Sequence, residues 1–151
     1  RSVANQAVTR NSSLPVVNVG YSAAGPMTEM LFYEHSAWVI ASIVSGGSVE
    51  VGASARGTAL DYTSPVEPTF ASEVAHAVAG MSRKEANGIV NSLLEKYENQ
   101  LREPPKGKRY QECCDIVTGK PNKELRQLYH ATRREMTDQY GIRFTSASPY
   151  V

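Results

Sequence analysis

The feature that most constrains the fold is a strand-helix-strand pattern in the first third of the chain. A short run rich in β-branched residues, at positions 14–19, ends at Gly20 and predicts a buried strand. Apolar residues then recur at helical spacing over 28–44, and the run 48–52 predicts a second strand. Because two strands joined by a helix of this length pair in parallel through a right-handed crossover, the pattern predicts one β-α-β unit.

Two parallel strands do not make a stable sheet alone, since both faces and both edges need cover. The chain also opens with Arg1 instead of an initiator Met. We therefore expect a fragment or a processed product, with further strands upstream. In parallel barrels the chemistry lies where strands end, which directs attention to residues 18–22 and 52–56.

The rest of the chain predicts helices. Apolar spacing over 70–78 is closed by Gly80, and Ser82 with Glu85 forms a capping box that opens the strongest predicted helix. A short helix is expected over 110–117, and Asn122 caps a final helix that stops at Gly141. Residues 1–13 are interpreted as a polar lead-in and 145–151 as frayed. We divide the chain into final β/α units at 1–103 and a C-terminal helical extension at 104–151, within one incomplete structural domain.

Composition excludes several classes of function. The 151 residues are 41% hydrophobic and 21% charged, which is enough for a core without disulfides or metal. The net charge of +1 predicts neither nucleic acid nor an anionic membrane as partner, and the apolar stretch 37–44 is far short of the roughly 20 residues of a span. The adjacent Cys113 and Cys114 are poorly placed to bridge each other, which suits a reducing, cytoplasmic compartment.

Several other chemistries lack support in the residue pattern. His35, His76 and His130 lie on three different predicted helices without ligand-like spacing, so no metal site is expected. We predict one buried and one half-exposed thiol for the vicinal cysteines, without a nucleophile. The segment 52–57 is close to a nucleophile elbow by chance alone, and the basic segment 106–109 is interpreted as a solvated linker.

Three stretches carry a resemblance to a known family. They are GYSAAGPMTEMLFYE at 20–34, EVAHAVAGM with RKEAN at 73–87, and PPKGK with YQEC at 104–113. With them the chain resembles the monomethylamine:corrinoid methyltransferases of methanogenic archaea over residues 15–144, about the last third of the family's length. None of the three is a catalytic signature by itself, so the resemblance rests on overall likeness.

This resemblance implies an α/β fold, the C-terminal part of a (β/α)8 TIM-type barrel with two parallel strands and with flanking and C-terminal helices. It implies transfer of the methyl group of monomethylamine to a corrinoid (cobalamin) carried by a cognate partner protein. A pyrrolysine in the missing upstream part would hold the amine, so the fragment alone is expected to be inactive. A homo-oligomer is expected at full length, and which methylamine is the substrate stays open.

The same resemblance implies a tyrosine near the pyrrolysine, with a glutamine two positions before it. Tyr21 fits the tyrosine, whereas the earlier position is Val19 and Asn18 is the nearby amide. A phenol at a barrel mouth can orient an amine or an imine nitrogen through one hydrogen bond. We therefore predict Tyr21 and Asn18 as catalytic and Ser22 as substrate-binding. A tyrosine that packs at the strand end with its hydroxyl in water stays an open alternative.

Arg56 and Asp61 lie in the long loop after the second predicted strand. We predict that they contact the substrate or the incoming corrinoid protein, whose acidic surface a positive group could meet. Charges that are merely solvated remain the alternative for both. Two other functions also stay open: a barrel lyase or isomerase for a small phosphorylated substrate, with Arg56 on the anion, and a non-catalytic helical interaction module.

Overall fold

A computed structural model describes residues 2–50, 56, 59–145 and 147–150. Its helices and strands, in chain order, are α1 (Ser2–Asn11), β1 (Val17–Val19), α2 (Glu29–Ile43), β2 (Ser48–Glu50), α3 (Val66–Ala77), α4 (Arg83–Tyr97), a 3₁₀ turn (Glu98–Gln100), α5 (Tyr110–Cys113) and α6 (Lys123–Tyr140). In this described part, no helix combines the length and the apolar character that crossing a membrane requires.

The predicted β-α-β unit is confirmed. β1 and β2 are hydrogen-bonded neighbours in a parallel sheet, with Val17 opposite Ser48 and Val19 opposite Glu50. β1 is shorter than predicted, and positions 51 and 52 of the second predicted strand lie outside the described residues. The expectation of a buried first strand is wrong for one face, because Val17 is 57% exposed. Side chains alternate along a strand, so Val17 lies on the face opposite the buried Asn18.

The second helix is the centre of the core. α2 is apolar around most of its circumference, and a helix of that kind is buried on several sides. It packs against α3 and α4, and Phe32 meets Phe70 of α3 edge-to-face with ring centroids 4.9 Å apart. Leu125 and Met136 of α6 are fully buried in the same hydrophobic cluster. The C-terminal helix therefore packs into the same core as α2, α3 and α4.

Local capping signals placed three helix ends correctly: the starts of α4 and α6 and the end of α6. Ser82 accepts a hydrogen bond from the Glu85 amide, and Asn122 accepts one from the Leu125 amide. Gly141 ends α6 with a left-handed φ of 67°. The predicted helix over 110–117 is wrong beyond Cys113, since the Asp115 carboxylate accepts the backbone amides of residues 117 and 118 and turns the chain.

Both chain ends differ from the sequence-based expectation. The polar lead-in is helical over Ser2–Asn11, where Asn5 is buried beside Gly47. The interpretation of 145–151 as frayed is wrong for Tyr150, whose hydroxyl donates to the Pro65 carbonyl at 2.9 Å. Its ring lies 5.2 Å from Tyr129, edge-on. These contacts join residues far apart in sequence, so no local pattern predicts them.

Candidate functional site

The loop that leaves β1, residues 20–28, is held by its own helix. The Glu34 carboxylate of α2 accepts the Ala23 amide at 2.9 Å and the Ala24 amide at 3.0 Å. The Ser22 hydroxyl donates to the Ala24 carbonyl at 2.9 Å, and the Thr28 hydroxyl donates to the Gly25 carbonyl at 2.7 Å. Backbone groups in an irregular segment need partners when they leave water, and these side chains supply them.

A second segment, residues 104–108, packs its backbone onto this loop. The Gly25 amide donates to the Pro105 carbonyl at 2.9 Å, and the Lys108 amide donates to the Pro26 carbonyl at 3.0 Å. A Cβ on Gly107 would lie 2.2 Å from the Pro26 oxygen, so the close approach requires glycine. The prediction of a solvated linker is therefore wrong for the backbone, although the Lys106 and Lys108 side chains are exposed.

This close approach makes a testable prediction about stability. Gly107 and Gly141 have nearly the same φ, 66° and 67°, but an added Cβ on Gly141 meets nothing within 4 Å. Gly141→Ala should lower the free energy of unfolding by about 1 kcal/mol from backbone strain alone. Gly107→Ala should lower it by about 2 kcal/mol, because the segment must also move. Urea denaturation measures both, and equal losses would contradict the packing.

The third segment of the site follows β2. The Arg56 amide donates to the Ala24 carbonyl at 3.1 Å, and the Arg56 guanidinium lies 4.9 Å from the centre of the Tyr62 ring. The Asp61 carbonyl accepts the Tyr110 amide at 2.6 Å, while its side chain is exposed. We call residues 20–28, 56, 59–62 and 104–110 the rim. The parallel strands end at the same edge, and the rim lies there.

Backbone strain among the described residues is concentrated in the rim. The non-glycine residues with positive φ there are Met27 at 62°, Arg56 at 55° and Asp61 at 66°. Each such conformation costs about 1–2 kcal/mol for an L-residue and persists only where surrounding contacts enforce it. Strained backbone of this kind clusters at functional sites, which supports the rim as the candidate site.

Tyr21 is placed on the rim with its side chain 51% exposed. Together with Gly20, Trp38 and Ser42 it lines a cavity of about 390 Å³. A Cβ on Gly20 would lie 1.3 Å from the Trp38 indole nitrogen, so only glycine lets the indole pack against the backbone there. Packing against Trp38 holds the backbone at Gly20, directly before Tyr21, while the Tyr21 side chain remains accessible.

The predicted site residues do not all come together. Ser22 is buried, and its hydroxyl is used on the Ala24 carbonyl within the loop. Asn18 is also buried; its amide donates to the Ser48 carbonyl at 3.2 Å on the face opposite Val17. The structure therefore brings Tyr21, Ser22 and Arg56 to one rim, whereas Asn18 is buried within β1. Catalytic and binding roles for these residues, and for Asp61, remain predictions.

Glu34 was missed by sequence reasoning. The available signal was a carboxylate in the interior of a helix whose other residues are mostly apolar. A buried or half-buried acid needs partners, and here the partners are two consecutive backbone amides. Burial raises the pKa of Glu34, and the hydrogen bonds from the Ala24 and Ala23 amides oppose that rise.

Among the described residues, the two cysteines and His35 add no reactive group to the rim. Burial raises the pKa of Cys113 to about 12 and that of Cys114 to about 11, so both are thiols at neutral pH. The expectation of one half-exposed thiol is wrong, because both are buried. Burial lowers the pKa of His35 to about 4, so the imidazole of this buried residue of α2 is neutral at neutral pH.

Fold and site together define an α/β protein whose ligands are expected where parallel strands end. Within that class, the chain belongs to the monomethylamine methyltransferase MtmB family, whose family model matches residues 1–142. The resemblance seen in the three sequence stretches is thereby confirmed.

Individual relatives agree with this assignment. The chain is 40% identical over 122 residues to the monomethylamine methyltransferase MtmB of Methanosarcina mazei, which covers 80% of this chain and 27% of the relative. It superposes on the crystal structure of the Methanosarcina barkeri enzyme with a TM-score of 0.86 at 34% identity. A hydroxylamine complex of MtmB matches with a TM-score of 0.88 at 32% identity, over 93% of this chain and 31% of that one. The chain thus spans about a third or less of the length of the relatives it matches.

Proposed function

We propose that the chain forms the C-terminal part of a monomethylamine methyltransferase, with β1 and β2 as two neighbouring strands of a (β/α)8 barrel. Their parallel pairing and the open face that carries Val17 support this arrangement. We call this chain together with the rest of the barrel the complete enzyme. Cys113 and Cys114 of this chain are free thiols, which supports a reducing, cytoplasmic location.

The observation that carries the proposed activity is an accessible phenol on a fixed loop at the strand ends. The Tyr21 hydroxyl can donate to, or accept from, a small amine through one hydrogen bond. A family relative has been solved with hydroxylamine, another small nitrogen compound, which supports an amine as substrate. Where the family resemblance implies a glutamine, this chain has Val19. The nearby amide of Asn18 donates to the Ser48 carbonyl, so among the described residues the phenol of Tyr21 fits the contact with the amine best.

The remaining rim residues of this chain prepare the site for transfer. A corrinoid on the partner protein would supply the cobalt that accepts the methyl group, and the pyrrolysine expected upstream would hold the amine. Ser22 and the packed segment 104–108 fix the loop and exclude water from its backbone. Lys106 and Lys108 are exposed cations of the rim, and Arg56 is half-buried there; together they give the rim positive charge that an acidic partner surface would meet.

The direct test is methyl transfer by the complete enzyme to its reduced corrinoid protein, followed through the visible spectrum of the corrinoid. Monomethylamine should support transfer, whereas di- and trimethylamine should not. Transfer from dimethylamine at an equal rate would overturn the substrate assignment, and no transfer from any of the three amines would overturn the activity.

Arg56 separates methyl transfer from the phosphate-binding alternative. Arg56→Ala should raise the KM for the corrinoid protein roughly fivefold at low salt, with a smaller change at high salt, because charge pairing across an interface is screened. Arg10→Ala is the matched control, since Arg10 is exposed in the last turn of α1, before the opposite end of β1. Tight binding of inorganic phosphate that disappears in Arg56→Ala would favour the lyase or isomerase instead.

A further inference from the structure

Among the described residues, Glu34 is the side chain that holds two consecutive amides of the loop after β1. Its two carboxylate oxygens accept the Ala23 and Ala24 amides at 2.9 and 3.0 Å. Those amides directly follow Tyr21 and Ser22. Two successive backbone amides that point at one anion fix the peptide planes between them, because either rotation would break a charge-assisted hydrogen bond.

The support behind Glu34 is rigid. Its neighbours in α2, Tyr33 and His35, are buried in the core, so the carboxylate projects from a fixed helix. The Ala24 carbonyl accepts the Arg56 amide, and within the loop it also accepts the Ser22 hydroxyl. The loop is therefore fixed by α2 through Glu34 and by the rest of the rim through Arg56.

We propose that Glu34 is a positioning residue that acts on methyl transfer through Tyr21. It contacts no reacting atom and fixes the direction in which the Tyr21 side chain leaves the strand end. A catalytic group that is displaced by about 1 Å loses up to a hundredfold in rate, so an indirect effect of this kind is measurable. This inference rests on the proposed function, because it takes the role of Tyr21 from it.

Glu34→Gln tests the inference with little change in volume. The amide oxygen of Gln can accept one of the two N–H groups, but its NH2 group faces the other donor. Glu29→Gln is the matched control, since Glu29 lies in the first turn of the same helix with an exposed side chain. In the complete enzyme, Glu34→Gln should lower kcat about tenfold and leave KM for the amine within about twofold. The control should leave both unchanged.

A double-mutant cycle shows whether the effect passes through Tyr21. Combined with Tyr21→Phe, Glu34→Gln should add no further loss of kcat, because a residue that positions the phenol has nothing left to position. A full additional tenfold loss would mean that Glu34 acts independently, and would overturn the inference. Tyr21→Phe without any effect on kcat would remove the role of Tyr21 itself, and the positioning role with it.

Hydrogen exchange provides a readout that does not depend on activity. The amides of Ala23 and Ala24 should exchange about tenfold faster in Glu34→Gln than in the parent protein, and amides in α4 should be unchanged. Unchanged exchange at both positions would overturn the inference even where methyl transfer is confirmed. Faster exchange together with normal kcat would do the same, since the loop would then be held without consequence for the reaction.

Discussion

Tyr21→Phe is expected to lower kcat for methyl transfer by the complete enzyme about a hundredfold. The substitution removes one hydroxyl from an accessible ring and leaves the loop held as before, because the Ala23 and Ala24 amides donate to Glu34 and not to Tyr21. A positioned group that hydrogen-bonds or moves a proton at the reacting nitrogen contributes about 10²- to 10⁴-fold, and the lower end suits a single phenol. KM for monomethylamine should change by less than about threefold, because the interaction strengthens mainly in the transition state.

Tyr62→Phe is the control for this result. Tyr62 is a rim tyrosine on the neighbouring segment, where the Arg56 guanidinium lies 4.9 Å from its ring. Phenylalanine keeps that contact, so kcat should stay within about twofold of the parent enzyme. Equal losses in the two variants would show a general sensitivity of the rim, and would contradict a special role for the Tyr21 hydroxyl.

Much of the fold could be predicted from the sequence because its signals are local. β-branched runs with an apolar helix between them gave the parallel unit, and Ser82, Asn122 and Gly141 gave the helix ends through side-chain caps and left-handed backbone. α1 was missed since its buried side is small and polar, with Asn5 in place of an apolar stripe. Its helix is stabilised by packing near Gly47, which no periodicity records.

The location of the candidate site was predictable, but its internal order was not. Parallel strands end at one edge, and that rule alone placed Tyr21 and Arg56 on the same rim. Asn18 occupies the opposite face from Val17 and Val19 because side chains alternate along a strand, so nearness to Tyr21 in the sequence does not place the two side chains together. The hold of Glu34 on the loop spans ten and eleven residues, so only the folded chain reveals it.

The rim also explains why the C-terminal extension belongs with the site. Segment 104–108 lies between α4 and α5 in the sequence, yet its carbonyl and amide groups bind Gly25 and Pro26. The extension that follows contributes α6 to the core beneath α2. A substitution that loosens α6 is therefore expected to lower the free energy of unfolding of the chain and to make the loop that carries Tyr21 less ordered.

The buried ionic cluster between α3 and α6 is the place where such a disturbance is largest. The Tyr129 hydroxyl donates to both Glu73 oxygens at 2.8 and 2.7 Å, and Arg133 lies 3.4 Å from the same carboxylate. Burial, followed by the hydrogen bond to Glu73, raises the pKa of Tyr129 to about 12, so the phenol stays a donor. The guanidinium also lies 4.6 Å from the centre of the Phe144 ring. The cluster thus joins two helices and the chain end.

Glu73→Leu should lower the free energy of unfolding by about 3–4 kcal/mol, because it removes the carboxylate partner of a buried cation and a buried phenol. Glu124→Leu is the matched control: its pair with Lys108 has the same 3.4 Å separation, but these side chains are 68% and 49% exposed, against 8% and 12% for Glu73 and Arg133. An exposed pair contributes less than about 1 kcal/mol.

In chemical denaturation, Glu73→Leu combined with Arg133→Leu should recover part of the loss, since the double variant removes both charges of the buried pair. Equal losses for Glu73→Leu and Glu124→Leu would mean that burial of the pair contributes nothing to the free energy of unfolding.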